Sequence, residues 1–498
     1  MSSEITMALE DLLHPYLGRY LGAPGWLKAS AGRAYSLLPP RMRLGSAYER
    51  FRRQIDGAES ARANEILAGA KLDATLRWAL ETVPAYQGFR GLADGKRDPR
   101  EVLLSLPVTD KLDIKRHPER YLSKAMSHAA RLEMFTGGST RNPMQFYLQK
   151  HVSRPKEYAF IQDFRERVGA GSQPLMLALR GRTVPSAAQP GGSIWMHEPI
   201  RRQLILSSDH LEKRYMPAYM EALALHRPEY IEAFPSALFP LARWLAANPL
   251  PEFTRAVKGV MLYSENVYGF QMEKFREVFG CPIVSHYGHS ERVLMAASMP
   301  DDDRYFFWPQ YGWFELLDAE NRPITQPGKL GFVVGTSFDN KVMPFVRYRT
   351  GDLAMLSDRG HALLPGYPAC ERIVGRLQEF IVCRDQRLVS ITTLGVAHFP
   401  ELAAVETIQY EQDRPGRLVL KVVADHLLTT EQTARIAVAV EAKTQGGCDV
   451  EVVQVERIAR TPRGKSRMLI QNLDIRRYFG AATKPGSEPI FHGEENGL

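Results

Sequence analysis

Short apolar runs that alternate with amphipathic stretches constrain this chain more than any other feature. Leu175–Leu179, Val260–Tyr263 and Ile283–Val284 read as brief strands. Residues 60–83 place Ile66, Leu67, Leu72, Leu76, Leu80 and Val83 at roughly helical spacing. From Pro155 to Val168, a second helix sets Tyr158, Ile161, Phe164 and Val168 on one face. Strands that alternate with helices specify an α/β architecture.

The pattern changes over the end of the chain. Residues 404–411 and 417–424 read as strands around the turn Asp413-Arg-Pro-Gly416. A helix from Glu431 to Thr444 stops at Gly446-Gly447, and Val450–Glu456 reads as a further strand. This β-β-α-β order predicts a small α+β domain, joined to the rest near Gly375-Arg376. The expected division is residues 1–375 and 376–498, with a frayed tail rich in Gly, Glu and Pro.

Composition narrows the function classes. At 498 residues, more than one domain is expected, and 44% hydrophobic residues suffice for a large core. No apolar run reaches the roughly 20 residues of a membrane span. Met1–Glu10 is acidic and lacks an apolar h-region, so a secretory signal is not expected. Cys281, Cys370, Cys383 and Cys448 are widely spaced and form no Cys-x-x-Cys pair, which argues against a disulfide framework and for a cytoplasmic protein. The net charge of +8 suits anionic ligands, though a solvated basic surface explains it equally. The arginines are scattered without aromatic interleaving, so no nucleic-acid partner is expected.

Four stretches carry chemistry. Phe135-Thr-Gly-Gly-Ser-Thr-Arg-Asn-Pro143 can wrap phosphate oxygens with backbone N–H groups and hydroxyls, although taken alone it reads better as an ordinary turn. In Arg347-Tyr-Arg-Thr-Gly-Asp-Leu353, an ionised carboxylate suits the paired hydroxyls of a ribose, or else caps the next segment. Ser285-His-Tyr-Gly-His-Ser-Glu-Arg292 follows a predicted strand, where ligands sit in open α/β sheets. There Tyr287 can stack on a base and Glu291 can hold magnesium. Zinc binding through His286, His289 and Glu291 is a weaker alternative, because the His-x-x-His spacing has no helix context. Arg460-Thr-Pro-Arg-Gly-Lys-Ser-Arg467 approaches a P-loop, but Ala459 replaces the first glycine and too little chain follows for a mononucleotide-binding fold. Its lysine, on a Pro/Gly loop, can still reach a phosphate or carboxylate.

In their order and spacing, these stretches resemble the adenylate-forming superfamily, in its phenylacetate–CoA ligase-like and CapK-like branch. Thr136–Pro143 is similar to the phosphate-loop motif, Ser264-Glu-Asn266 to the adenine-contacting segment, and Tyr287–Glu291 to Tyr-Gly-x-Thr-Glu with Ser290 for Thr. Tyr348–Asp352 matches Tyr-Arg-Thr-Gly-Asp without change. Gly375-Arg376 resembles the hinge motif and Gly464-Lys465 the C-terminal lysine motif. Val83-Pro-Ala-Tyr86, Leu106-Pro-Val-Thr-Asp-Lys111 and Phe234-Pro-Ser-Ala237 point to the CapK-like branch. The likeness runs from about residue 30 to about residue 475. Arg141 stands where the family usually has a glycine, and Gln378-Glu379 where it has Asp-Asp. The cysteine–histidine zinc cluster of some relatives has no counterpart.

The resemblance implies a large N-terminal adenylate-forming domain and a small mobile α+β C-terminal lid carrying Lys465. It implies ATP contacts at Thr136, Gly138, Ser139, Thr140, Ser264, Glu265, Asn266, Tyr287, Gly288, Ser290, Asp352 and Arg376. Glu291 would bind Mg2+, and Lys465 would bridge the acid carboxylate and the α-phosphate. Phe234, Ser236 and His286 would line the acid pocket, whose partly apolar character favours an aryl or medium-chain acid. The implied activity is AMP-forming activation of a carboxylic acid, with coenzyme A as default acceptor. Transfer to an amine or a sugar is the alternative, given CapK-like members tied to surface-polysaccharide synthesis. A catalytically inactive nucleotide-binding scaffold is the third option. The identity of the acid and the oligomeric state are not encoded in these motifs.

Overall fold

The computed structural model describes residues 9, 20, 25–58, 60–136, 144–171, 174–180, 184, 192–208, 210–376, 379–394, 405–424, 426–458, 467–475, 477 and 478. The C-terminal tail expected to fray lies outside them. The helices used below are α1 (Pro40–Asp56), α2 (Ala61–Thr82), α3 (Ser153–Arg167), α4 (Pro235–Ala247), α5 (Gly269–Phe279) and α6 (Thr430–Lys443). The strands of the large body are β1 (Arg131–Phe135), β2 (Gln145–Gln149), β3 (Met176–Leu179), β4 (Trp195–Glu198), β5 (Gln203–Leu206), β6 (Tyr230–Ala233), β7 (Gly259–Tyr263), β8 (Ile283–Gly288), β9 (Met295–Met299), β10 (Asp302–Phe307), β11 (Gly312–Leu317), β12 (Leu330–Ser337), β13 (Tyr348–Ser357) and β14 (Ala369–Arg376). Beyond it come β15 (Phe380–Val382), β16 (Leu388–Ser390), β17 (Val405–Arg414), β18 (Arg417–Ala424), β19 (Asp449–Gln454) and β20 (Leu469–Gln471).

Twelve strands form one sheet in the order β11-β12-β13-β14-β10-β9-β8-β7-β6-β3-β5-β4. The run β5-β3-β6-β7-β8 is parallel, and β8-β9-β10-β14-β13-β12-β11 is antiparallel. The three sequence-predicted strands fall in the parallel half, where β3, β6 and β7 are buried at every position. That is the expected state of a parallel sheet covered on both faces. Phe160, Phe164, Leu238 and Phe275, from α3, α4 and α5, pack in the core beside Leu177, Ile231 and Leu262.

Two helix faces differ from the sequence reading. In α2 the buried side is Asn64, Ala68, Leu72, Leu76, Ala79 and Leu80, while Ile66 is exposed. In α3, Tyr158 and Ile161 are only half-buried, and the interior face includes Lys156 and Asp163. Periodicity of apolar residues misses this because partners satisfy the charges, Arg167 one turn on for Asp163 and distant groups for Lys156. Lys156 Nζ donates to the Tyr311 and Phe338 carbonyls at 2.6 and 2.8 Å, with Asp339 at 3.5 Å.

The C-terminal part is α+β. Its sheet runs β19-β18-β17-β20, with β17 antiparallel to β18 and the outer pairs parallel. Gly416, in the predicted turn, has φ +72°, which a glycine adopts without strain. A capping box between Thr429 and Gln432 starts α6. The three-residue β20 has no counterpart in the sequence reading.

The hairpin β15–β16 lies between the two bodies. Phe380, Val382 and Leu388 join Leu317, Phe332, Val334, Leu353 and Val374 of the large sheet. Ile381, Cys383 and Val389 join the core of the small unit. Arg243 of α4 also donates to the Val405 carbonyl at 3.1 Å. None of the described helices is long and apolar enough to cross a membrane.

Candidate active site

The predicted strand at Ile283 continues through Gly288, so the Tyr287 segment stands on β8 and not beyond it. Alternation along the strand sends neighbours to opposite sides. Tyr287 turns toward β13 and donates its hydroxyl to Asp352 Oδ2 at 2.8 Å. His286 turns toward α3 and packs on Phe164 and Tyr263, each ring centroid 5.2 Å away. One strand thus serves both the expected nucleotide side and the expected acid side.

Asp352 owes its position to a bulge in β13. The register with β12 slips between Phe332 and Val334, and Gly351 takes φ +85°. Such an insertion bends the strand and re-aims a side chain. Thr350 Oγ1 pins the bulge by donating to the Val333 carbonyl at 3.1 Å and accepting from the Asp352 amide at 3.2 Å. Four residues earlier than Asp352, Tyr348 is buried and donates its hydroxyl to Glu291 Oε1 at 2.8 Å. Tyr348 and Thr350 lie inside the quoted Tyr-Arg-Thr-Gly-Asp stretch, but the sequence reading gave them no role. Their period-two spacing with Asp352 was the available signal.

The adenine-contacting segment is braced on both sides. Ser264 has φ +61°. Glu265 accepts from the Ser236 amide at 3.0 Å and its hydroxyl at 3.1 Å, which ties the segment to the start of α4. Asn266 donates to Glu379 Oε2 at 2.7 Å and to the Val374 carbonyl at 3.3 Å. Glu379, treated in the sequence only as a departure from the hinge pattern, therefore links the large body to the hairpin. Phe234 is buried and its amide donates to the Leu179 carbonyl at 2.8 Å. Burial pushes the His286 ring down to about 4, so it is neutral at physiological pH.

Thr136 is buried at the neck of the β1–β2 hairpin, and its hydroxyl accepts from the Met144 amide at 2.9 Å while keeping its own proton to donate. Gly138, Ser139, Thr140 and Arg141 lie outside the described residues, as do Gln378, Gly464 and Lys465. Arg376 ends β14 opposite Asp352 in register. Gly288 follows Tyr287 at the end of β8, and Ser290 precedes Glu291 in the turn after it. Among the described residues no three His, Cys, Asp or Glu side chains could together hold a metal, so the zinc alternative gains no support. Glu291 is buried and accepts from Tyr348 through Oε1, and a carboxylate is the kind of ligand that magnesium takes together with phosphate oxygens and water.

No family model matches the chain. Among curated proteins, it is similar to Protein CapK of Staphylococcus aureus, 21% identical over 384 residues, covering 76% of this chain and 82% of CapK. It is also similar to phenylacetate-coenzyme A ligase of Thermus thermophilus, 22% identical, covering 63% of this chain and 70% of that protein. Of solved structures, a 2-hydroxyisobutyryl-CoA ligase in complex with 2-HIB-AMP superposes with a TM-score of 0.62 at 17% identity, covering 85% of this chain and 93% of the other. The chain is thus similar to proteins of the adenylate-forming superfamily, in its phenylacetate–CoA ligase-like and CapK-like branch. An acyl acid amido synthetase in complex with 2,4-DB shares the fold too, with a TM-score of 0.55 at 13% identity, covering 87% of this chain and 96% of that one. The fold class is accordingly the mixed α/β body with a C-terminal α+β part expected of this superfamily.

Proposed function

We propose that this protein activates a carboxylic acid with ATP, releasing pyrophosphate, and passes the acyl group from the adenylate to coenzyme A. The observation that carries the reading is two hydroxyl–carboxylate pairs, Tyr287–Asp352 and Tyr348–Glu291, that join the segment at the end of β8 to β13. Asp352 would accept both ribose hydroxyls with Tyr287 as its anchor, and Tyr287 would offer its ring to adenine beside Ser264–Asn266. Thr136 would donate toward the phosphates from the neck of their loop, joined by Gly138, Ser139 and Thr140. Ser290 and Gly288 would border the α-phosphate, and Arg376 would support the ribose.

In the first step, a carboxylate oxygen of the acid attacks the α-phosphorus. The bond to the bridging oxygen of pyrophosphate breaks, and pyrophosphate leaves with the electron pair. Both partners are anionic, so charge neutralisation and alignment are the main demands. A magnesium ion held by Glu291 would supply Lewis-acid neutralisation of the polyphosphate. Lys465, delivered by residues 376–498 acting as a lid, would bridge the acid carboxylate and the α-phosphate. In the second step, the thiolate of coenzyme A attacks the acyl carbon and AMP departs.

Lys465→Ala should abolish acid-dependent ATP–pyrophosphate exchange while the melting temperature stays unchanged. Wild-type exchange in that variant would remove Lys465 from the mechanism. A second acceptor is favoured by one observation, the shared fold with an acyl acid amido synthetase. Following AMP release with coenzyme A, then with amines and amino sugars in its place, decides between thioester and amide or ester products. If no acid releases pyrophosphate in the presence of magnesium, the scaffold alternative stands instead.

A further inference from the structure

The side of the sheet that bears His286 holds charges that adenylation itself does not use. Glu232, on β6, is fully buried. Arg165 of α3 grips its Oε1, with Nη2 at 2.6 Å and Nε at 3.0 Å, and Arg180 Nη2 lies 3.0 Å from Oε2. Two guanidiniums thus face one carboxylate, and one positive charge is left over. The neighbouring acid, Glu157, is already engaged by the Tyr311 hydroxyl at 2.7 Å and by Arg292 at 3.5 Å. Neutral His286 neither adds to the charge nor offsets it. An unbalanced cation in a low-dielectric cleft is costly, and a ligand of opposite charge removes the cost.

Arg180 is the member of this group that stands beyond the carboxyl end of a parallel strand, where ligands of open α/β sheets bind. It directly follows the carboxyl end of β3, and its side chain is 21% exposed. Its guanidinium lies over the Tyr263 ring, 5.4 Å from the centroid, and that ring adjoins His286. The residue before it, Leu179, is bonded to the Phe234 amide, so Arg180 borders the expected acid pocket. Arg180 Nε and His286 Nε2 are buried with no hydrogen-bond partner among the described residues. A guanidinium fork matches a carboxylate with two parallel bonds.

We infer that the acid activated here carries a second carboxylate, and that Arg180 is the specificity residue that binds it. This rests on the acid-activation reading above, and it adds a second carboxylate to the aryl or medium-chain acid expected from the apolar residues alone. The test is ATP–pyrophosphate exchange by the full-length protein with length-matched pairs: succinate to adipate against butyrate to hexanoate, and phthalates against benzoate. The expected result is that a diacid is used with kcat/KM about tenfold or more above its monoacid partner. Arg180→Gln should then remove that preference by raising KM for the diacid, with KM for ATP unchanged as the check on folding. Arg180→Lys, which keeps the charge without the fork, should restore part of it. Monoacids used as well as diacids, or a loss in Arg180→Gln that falls equally on both series, would overturn the inference while leaving acid activation intact. If neither series supports exchange although ATP binds, acid activation falls and this inference falls with it.

Discussion

In the proposed site Tyr287 has two roles, a ring for adenine and a donor to Asp352, and a single atom separates them. Removing its hydroxyl in Tyr287→Phe keeps the ring and loses the 2.8 Å bond to Asp352. A hydrogen bond to a charged group contributes about 1.5–3 kcal/mol. KM for ATP should therefore rise about tenfold with kcat little changed, measured by exchange at saturating acid. Lys156 offers a second test, read through stability. Burial pushes its ammonium down to about 7, against the ordinary lysine value. The unfolded chain holds that proton up to about pH 10, so between about pH 7 and about pH 10 the unfolded state binds more protons. Stability contributed by this site should rise with pH through that window. Urea unfolding of the wild type should show the slope, and Lys156→Met should lack it. A wild type and variant with parallel pH profiles would exclude the effect. The sequence could not reveal Lys156 as an interior residue, because its partners, Tyr311, Phe338 and Asp339, lie far along the chain.

Among elements, the legible ones were those whose own residues dictate them. The apolar β3 and β7 and the capped α6 were readable because burial or capping fixes them locally. β8 was read only as far as Val284, since Ser285, His286 and Gly288 break the apolar run that marks its start. The bulge in β13 was hidden in Gly351, whose positive φ shows only against the register of its partner. Much the same holds at the end of β14. Gly375 takes φ +104°, and a Cβ there would lie within 2.4 Å of Asn266 Nδ2 and would also collide with Glu379. Gly375→Ala should cost about 1–3 kcal/mol from the backbone alone. It should also break the Asn266–Glu379 bond, so that the urea midpoint falls and KM for ATP rises together. A normal midpoint in that variant would show that the junction relaxes freely.

Across the whole molecule, residues distant in sequence meet in pairs, Tyr287 with Asp352 and Tyr348 with Glu291, which no local pattern encodes. Their order was nevertheless legible as a family resemblance, because order survives where spacing drifts. If nucleotide and acid bind where proposed, a non-hydrolysable acyl-adenylate analogue should stabilise the folded chain. At about 100 times its dissociation constant, the gain is about 2.7 kcal/mol, observable as a rise in melting temperature. Asp352→Ala should abolish most of that rise.

The hairpin β15–β16 has a consequence for anyone who cuts this gene. Its alternate residues complete two cores, Phe380, Val382 and Leu388 on one side and Ile381, Cys383 and Val389 on the other. A truncation at residue 375, where the motif invites it, would strip the lining from Leu317, Phe332 and Val334 and leave an apolar scar on the large body. A fragment that keeps the hairpin would instead carry the scar on the hairpin's other face. The better cut is the second one with that outer face rewritten, Ile381 and Val389 replaced by threonine, which turns a shared partition into an outside wall.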